Sequence, residues 1–228
     1  MEQEATADAL DELARAGLRY IRPRQTIGLG SGRAADAFIH ALAAADLKVR
    51  GVPTSCASAE LARSLKIELV KLEAVRRIDA DFDGADEVDP RLNMIKGYGG
   101  ALVRERVVAA ASRRRIFLVG EEKIVKRLGQ HGKLPVEVVP FAVPLVLREF
   151  SRLGLKPKVR SDEGNQFISD NGNVIVDCVV TTIRSPAALE RDLLAVPGVV
   201  DTGLFLGIAD IVLVLSADGK LTTLRRSR

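Results

Sequence analysis

Short apolar runs alternate with helix-spaced segments through the first 130 residues, and this alternation leaves few architectures open. Leu10, Leu13, Ala14, Gly17, Leu18 and Ile21 recur at helical spacing, and Pro23 closes that first helix. A strand "TIGLG", a glycine turn "GSG", a helix through "AADAFIHALAAA", a strand near "LKVRGVP", a helix "SAELARSL" and a strand near "IELVKL" follow in turn. The rhythm continues with "RIDADFDGAD", whose Ile78, Ala80 and Phe82 alternate with acids, then a helix from about Gly100, a strand "RIFLVG" and a helix "EEKIVKRL". Such a chain folds as an open parallel sheet covered by helices, because each crossover lays an apolar stripe back on the sheet.

Beyond Gln130 the pattern changes. "LPVEVVPFA" reads as a strand, "VPLVLREFSRLG" as a helix, "QFISDNGNVIVDCVV" as a hairpin turning at Asn171-Gly172, "AALERDLLAV" as a helix and "GVVDTGLF" as a strand. These make an α+β insertion of roughly 75 residues, within the usual size range for a small domain. The final "ADIVLVLSADGKLTTL" is apolar enough to rejoin the first sheet. The expected organisation is therefore a domain over 1–130, completed by about 206–228, with a smaller domain over 131–205.

Composition removes several function classes. With 228 residues, 47% of them hydrophobic, the chain builds a core without staples, and its two cysteines, Cys56 and Cys178, match no metal or redox spacing. Both are expected as small buried hydrophobes in a reduced, cytoplasmic compartment. The opening "MEQEATADAL" has acids where a secretory signal needs bases, and no run reaches membrane-spanning length. The net charge is +4, yet the basic residues are dispersed and aromatics for base stacking are scarce, so no nucleic-acid partner is expected. "RRR" at 113–115 and the terminal "RRSR" read as solvated surface; the positive field suits a small anionic substrate.

Chemistry concentrates in two places. "GLGSGRAA" follows a strand and opens a helix, where backbone N–H groups can meet an anion; it is neither the dinucleotide fingerprint nor a P-loop, and a simple tight turn explains it equally well. "DFDGADEVD" gathers five carboxylates in nine residues. From Asp79 it matches the opening of a calcium loop, but Asp86 occupies an apolar position and Pro90 replaces the closing glutamate. His40, expected on a helix flank, and His131, expected in a surface turn, have no partner at ligand spacing, so no metal site is expected. Asp79, Asp81 and Asp83 share one strand face, and "IKGYGGALVRER" then brings Lys96 on a glycine turn and Glu105 on a helix. That is an acid-base constellation, with surface ion pairing as the plainer reading.

These segments, with "GVPTS", "EEKIVKRLG", "LPVEVVPFA", "SDNGNVIVD" and "PGVVDTGLFLGIAD", occur in the order found in ribose-5-phosphate isomerases of the A type, which the chain resembles over nearly its whole length. The resemblance implies a Rossmann-like open parallel sheet domain with a smaller inserted α+β, ferredoxin-like domain. It implies interconversion of D-ribose 5-phosphate and D-ribulose 5-phosphate through an enediolate, in the non-oxidative pentose phosphate pathway, without metal or organic cofactor, by a homodimer or homotetramer. Glu105 would be the base moving a proton between C2 and C1; Asp83 and Asp86 would bind sugar hydroxyls, Asp83 also assisting ring opening and proton transfer between oxygens; Lys96 would stabilise the enediolate. Substrate contacts would come from Ser31, Gly32, Arg33 and Ala34, from Asp83, Gly84, Ala85 and Asp86, from Lys96, Gly97, Tyr98 and Gly99, and from Lys123.

Two stretches depart from the family pattern. "GSGRA" stands where the family usually reads "GTGST", and Tyr98 occupies the third place of the usual "KGGG". Arg33 can offer a bidentate phosphate contact in place of the missing hydroxyls. Two other readings stay open on the residues alone. One is an isomerase of another phosphosugar; the other is a non-catalytic sugar-phosphate sensor, although the single helix before the first strand is too little for a helix-turn-helix.

Overall fold

The computed structural model describes residues 7–226, which form two compact units. One comprises the described residues up to Ala85, Arg104–Ile124 and the described residues from Ile208 onward; the other comprises Asp86–Val103 and Val125–Gly207. The boundary expected near residue 130 differs from this division in that 86–103 and 125–130 go to the second unit. The reason is pairing: Met94–Ile95 is hydrogen-bonded between Glu87–Val88 and Leu204–Phe205, so the segment after the acids is tied to the chain around residue 204.

The first unit is built on a seven-stranded sheet. Its order is Leu221–Arg225, Ile211–Leu215, Arg115–Gly120, Ala80–Asp83, Thr26–Leu29, Arg50–Pro53, Glu68–Leu69, all parallel except the Leu221–Arg225 edge. Helix Arg33–Ala44 forms because Ala35, Phe38, Ile39 and Leu42 fall on one face, and it buries all four. Phe38 stacks on Phe82 with ring centroids 4.3 Å apart, each burial contributing about 2–3 kcal/mol. Leu13, Ile27, Leu29, Ile116, Leu118 and Leu213 complete that core.

The second unit runs strand–helix–strand–strand–helix–strand through Lys133–Val138, Val143–Arg152, Lys156–Val159, Val174–Val179, Pro186–Leu194 and Val199–Thr202. Its antiparallel sheet places the last strand beside the first and the third beside the second, a ferredoxin-like arrangement. Val146, Phe150 and Leu193 from the two helices pack on Val136, Val138, Val176 and Cys178. Among the described residues, no helix is long and apolar enough to cross a membrane.

Several local expectations change. "EEKIVKRL" forms only a single turn, Glu121–Lys123, because Gln130 Oε1 accepts from the N–H groups of Lys126 and Arg127 and closes a loop instead. The first arm of the Asn171-Gly172 hairpin reduces to one bridge, Ile168 to Val174, since Val174–Val179 finds its partners in Lys133–Val138 and Lys156–Val159. "IELVKL" contributes only Glu68–Leu69. Cys178 is buried as expected, but Cys56 opens helix Cys56–Ser64 on its exposed side. His40 is exposed on its helix. Arg113 and Arg114 are exposed, whereas Arg115 grips both oxygens of Asp210 at 2.8 Å. Residues 1–6, which open "MEQEATADAL", and 227–228 of "RRSR" lie outside the described residues.

Candidate active site

In the first unit the chain reverses its direction of travel across the sheet at Thr26–Leu29, with Arg50–Pro53 on one side and Ala80–Asp83 on the other. Ligands of open α/β sheets bind outside the carboxyl ends of the strands at such a reversal. There Gly30 N–H donates to Phe82 O at 2.9 Å, and Asp83 Oδ1 accepts from Ser31 N–H at 3.1 Å and Gly84 N–H at 2.7 Å. A Cβ on Gly30 would collide with the Asp83 carboxylate and main chain, so the close approach demands glycine. The sequence face carrying Asp81 and Asp83 is not open to solvent: each is only 1% exposed, because a parallel sheet is covered on both sides.

Ser31 Oγ lies 2.9 Å from Thr54 Oγ1 and 2.8 Å from Ser55 Oγ, and Ser55 with Ser58 closes a capping box on the next helix. This hydroxyl cluster was missed from spacing, although "GVPTS" carried the signal. Gly32 precedes helix Arg33–Ala44 and supplies no side-chain cap; Arg33 is exposed at its first position and Ala34 is half-buried. Gly84 and Ala85 are half-buried beyond the Asp83 strand end. Lys123, half-buried, follows the carboxyl end of Arg115–Gly120, the strand beside Ala80–Asp83. Glu105 sits in the first turn of helix Leu102–Ala111 and is 5% exposed.

The second unit holds the remaining expected residues. Asp86 Oδ2 accepts from Tyr98 N–H at 3.0 Å. Lys96 is 3% exposed, its N–H donates to Gly203 O at 2.9 Å, and its ammonium lies 5.6 Å from the Phe205 ring centroid. Gly97 has φ of 100°, a conformation that side chains resist, and Gly99 is exposed with nothing near the place a Cβ would take. Tyr98, the bulky departure, turns into its own unit: its hydroxyl donates to Lys133 O at 3.2 Å and its ring lies 4.1 Å from the Lys133 ammonium. Burial, then the charges of Asp86, Glu87 and Asp177, push its phenol well above the ordinary range.

The other acids of the cluster have structural partners. Asp79 accepts from Thr26 N–H, Asp89 from the N–H groups of Arg91 and Asn93, and the fully buried Glu87 from Gly129 and His131, both at 2.6 Å. That contact fixes His131 in its turn. Among the described residues, no group of three or more His, Cys, Asp or Glu side chains is placed to hold a metal ion. The first unit offers carboxylates that accept hydroxyl protons and a glutamate able to act as a base, and the second, taken by itself, a buried ammonium suited to oxyanion charge.

Comparison with known proteins gives a consistent answer. A family model described as ribose 5-phosphate isomerase A (phosphoriboisomerase A) matches residues 50–219. The chain is 45% identical to a ribose-5-phosphate isomerase A of Roseiflexus sp. (strain RS-1), over 90% of this chain and 91% of that one. It superposes with a TM-score of 0.92 on a solved D-ribose-5-phosphate isomerase in complex with phospho-erythronic acid, at 36% identity, covering 97% of this chain and all of the other. A solved ribose 5-phosphate isomerase A from Methanocaldococcus jannaschii superposes at 0.90, with 35% identity over 97% of this chain and 100% of its own. On its matched sequence and its backbone, the chain belongs to the ribose 5-phosphate isomerase A family.

Proposed function

We propose that this chain interconverts D-ribose 5-phosphate and D-ribulose 5-phosphate through an enediolate, as a step of the non-oxidative pentose phosphate pathway. The observation that carries the reading is the presence of Asp83, Asp86, Lys96, Glu105 and Lys123 together, in a backbone that follows a solved family member at a TM-score of 0.92. Fold alone does not require that set.

In this mechanism Glu105 removes the C2 proton of the open-chain aldose and, as a carboxylic acid that exchanges with solvent, then delivers a proton to C1. Between those steps the C2 hydroxyl proton passes to the C1 oxygen by way of Asp83, so the aldehyde becomes a hydroxymethyl group and C2 becomes the ketone. Lys96 stabilises the negative charge on the enediolate oxygens, a contribution of the kind whose loss costs roughly 3–4 kcal/mol. Asp86 and Gly84 to Ala85 bind hydroxyls. The phosphate is taken by Ser31 to Ala34, with Arg33 replacing hydroxyls by a guanidinium fork, and by Lys123. The protein acts in the cytoplasm as a homodimer or homotetramer, with no nucleic acid or membrane partner. The titanic share of the chemistry is proton transfer, which needs no metal or organic cofactor.

The test is turnover of D-ribose 5-phosphate by purified protein with a chelator present, beside arabinose 5-phosphate and unphosphorylated ribose. Chelator-resistant turnover of the ribose ester alone is expected. Binding of a sugar phosphate without turnover would replace the enzyme with a sensor.

A further inference from the structure

The glycine loop bearing Lys96 is held from behind by a guanidinium that the proposed mechanism does not use. Arg160 follows strand Lys156–Val159, and its Nε and Nη2 donate to the two oxygens of Asp177 at 2.8 and 2.5 Å. Its Nη1 reaches the other way, donating to Gly97 O at 3.1 Å and Tyr98 O at 2.8 Å. The two side chains are only 11% and 20% exposed, and the Phe167 ring covers the guanidinium with its centroid 5.5 Å from Cζ. Asp177 belongs to Val174–Val179, which has a neighbouring strand on each side, so the clamp refers the loop to the rigid part of its sheet.

The orientation has a consequence for the loop's donors. In a trans peptide the C=O and the N–H point in opposite directions. With the carbonyls of Gly97 and Tyr98 turned to Arg160, the N–H groups of Tyr98 and Gly99 face away from it. Tyr98 N–H goes to Asp86; Gly99 N–H has no acceptor among the described residues, at an exposed position with open space around it. A simple buried ion pair would satisfy Arg160 through Asp177 alone. The second pair of bonds, to two successive carbonyls of this loop, is what such a pair leaves unexplained.

We infer that Arg160 is a positioning residue for the isomerase site: backed by Asp177, it holds the Gly97 and Tyr98 carbonyls so that Gly99 N–H and Lys96 are presented to the substrate's oxygens. This rests on the isomerase reading above. Lysine cannot replace it, because an ammonium lacks the planar fork that serves a carboxylate and two carbonyls together.

The experiment compares wild type, Arg160→Lys and Arg160→Ala by steady-state kinetics with D-ribose 5-phosphate and by amide hydrogen exchange. Both variants are expected to lose roughly tenfold to a hundredfold in kcat, with a smaller change in KM, the scale of a small misplacement of reacting groups. Millimolar guanidinium is expected to restore part of the loss in Arg160→Ala and nothing in Glu105→Gln. Exchange is expected to quicken at residues 97–100 and to stay slow in Lys133–Val138. Wild-type kcat in both variants overturns the inference, as does loss of protection throughout the second unit, which marks a general prop. A wild type without turnover is instead a failure of the isomerase reading; local loosening then supports the clamp, and unchanged exchange overturns it.

Discussion

The main-chain N–H of Ser31 donates to Oδ1 of Asp83 across 3.1 Å, joining the turn after one central strand to the end of its neighbour. Gly30 makes that approach possible, since any Cβ there strikes the Asp83 carboxylate. Gly30→Ala should therefore push Asp83 out of place. The expected result is a loss of about 10²-fold in kcat/KM with a lowered thermal midpoint, read by kinetics and calorimetry on the same sample.

The alternation of strands and helices was legible because parallel crossovers leave periodic apolar stripes, as with Phe38, Ile39 and Leu42. Glu105 and Asp83 were singled out by motif resemblance alone, and their roles belong to the proposal. What the pattern could not give was each acid's partner: Asp79, Asp83 and Glu87 accept from backbone N–H groups of Thr26, Ser31 and Gly129 that long-range folding brings to them, whereas Asp89 closes a local turn on Arg91 and Asn93. Tyr98 was unreadable for the same reason: its packing against Lys133 joins residues 35 apart in sequence. The loop at Lys126–Gln130 likewise depended on a local side-chain cap that outweighs helical periodicity.

Tyr98 should matter to stability more than to catalysis. Tyr98→Phe removes the bond to Lys133 O and is expected to cost about 1 kcal/mol. Tyr98→Gly also empties part of the second unit's packing and is expected to cost about 2–4 kcal/mol, without raising kcat. Denaturant melts with parallel kinetics check both.

Acid should weaken the first unit through Asp210. Burial pushes its carboxyl up, but the side-chain and main-chain hydrogen bonds from Arg115, with the charges of Arg115 and Arg226, outweigh burial and hold it below its ordinary value. A lowered folded value contributes stability above the unfolded carboxylate value, near ~3.9, and that contribution fades as pH falls through the folded one. Asp210→Asn should thus be less stable than wild type at neutral pH, with the gap narrowing toward pH ~3. Melting midpoints at both pH values measure the gap.

The two thiols should separate cleanly. Cys56 is exposed, whereas burial, then the nearby Asp177, pushes the Cys178 thiol to about 12. A thiol-reactive chromophore at mildly alkaline pH should label one cysteine in the folded protein and both after denaturation. Labelling of Cys178 in the folded state would contradict its burial.

The most direct measurement of the central claim is turnover of D-ribose 5-phosphate in deuterated water, followed by NMR, for wild type and Glu105→Gln. Wild type should form D-ribulose 5-phosphate with deuterium entering at C1, and the variant, with its melting midpoint kept, should lose roughly 10²–10⁴ in rate, because an amide does not accept the proton. Rapid turnover by a folded Glu105→Gln protein would show that another group moves the proton and would contradict the account.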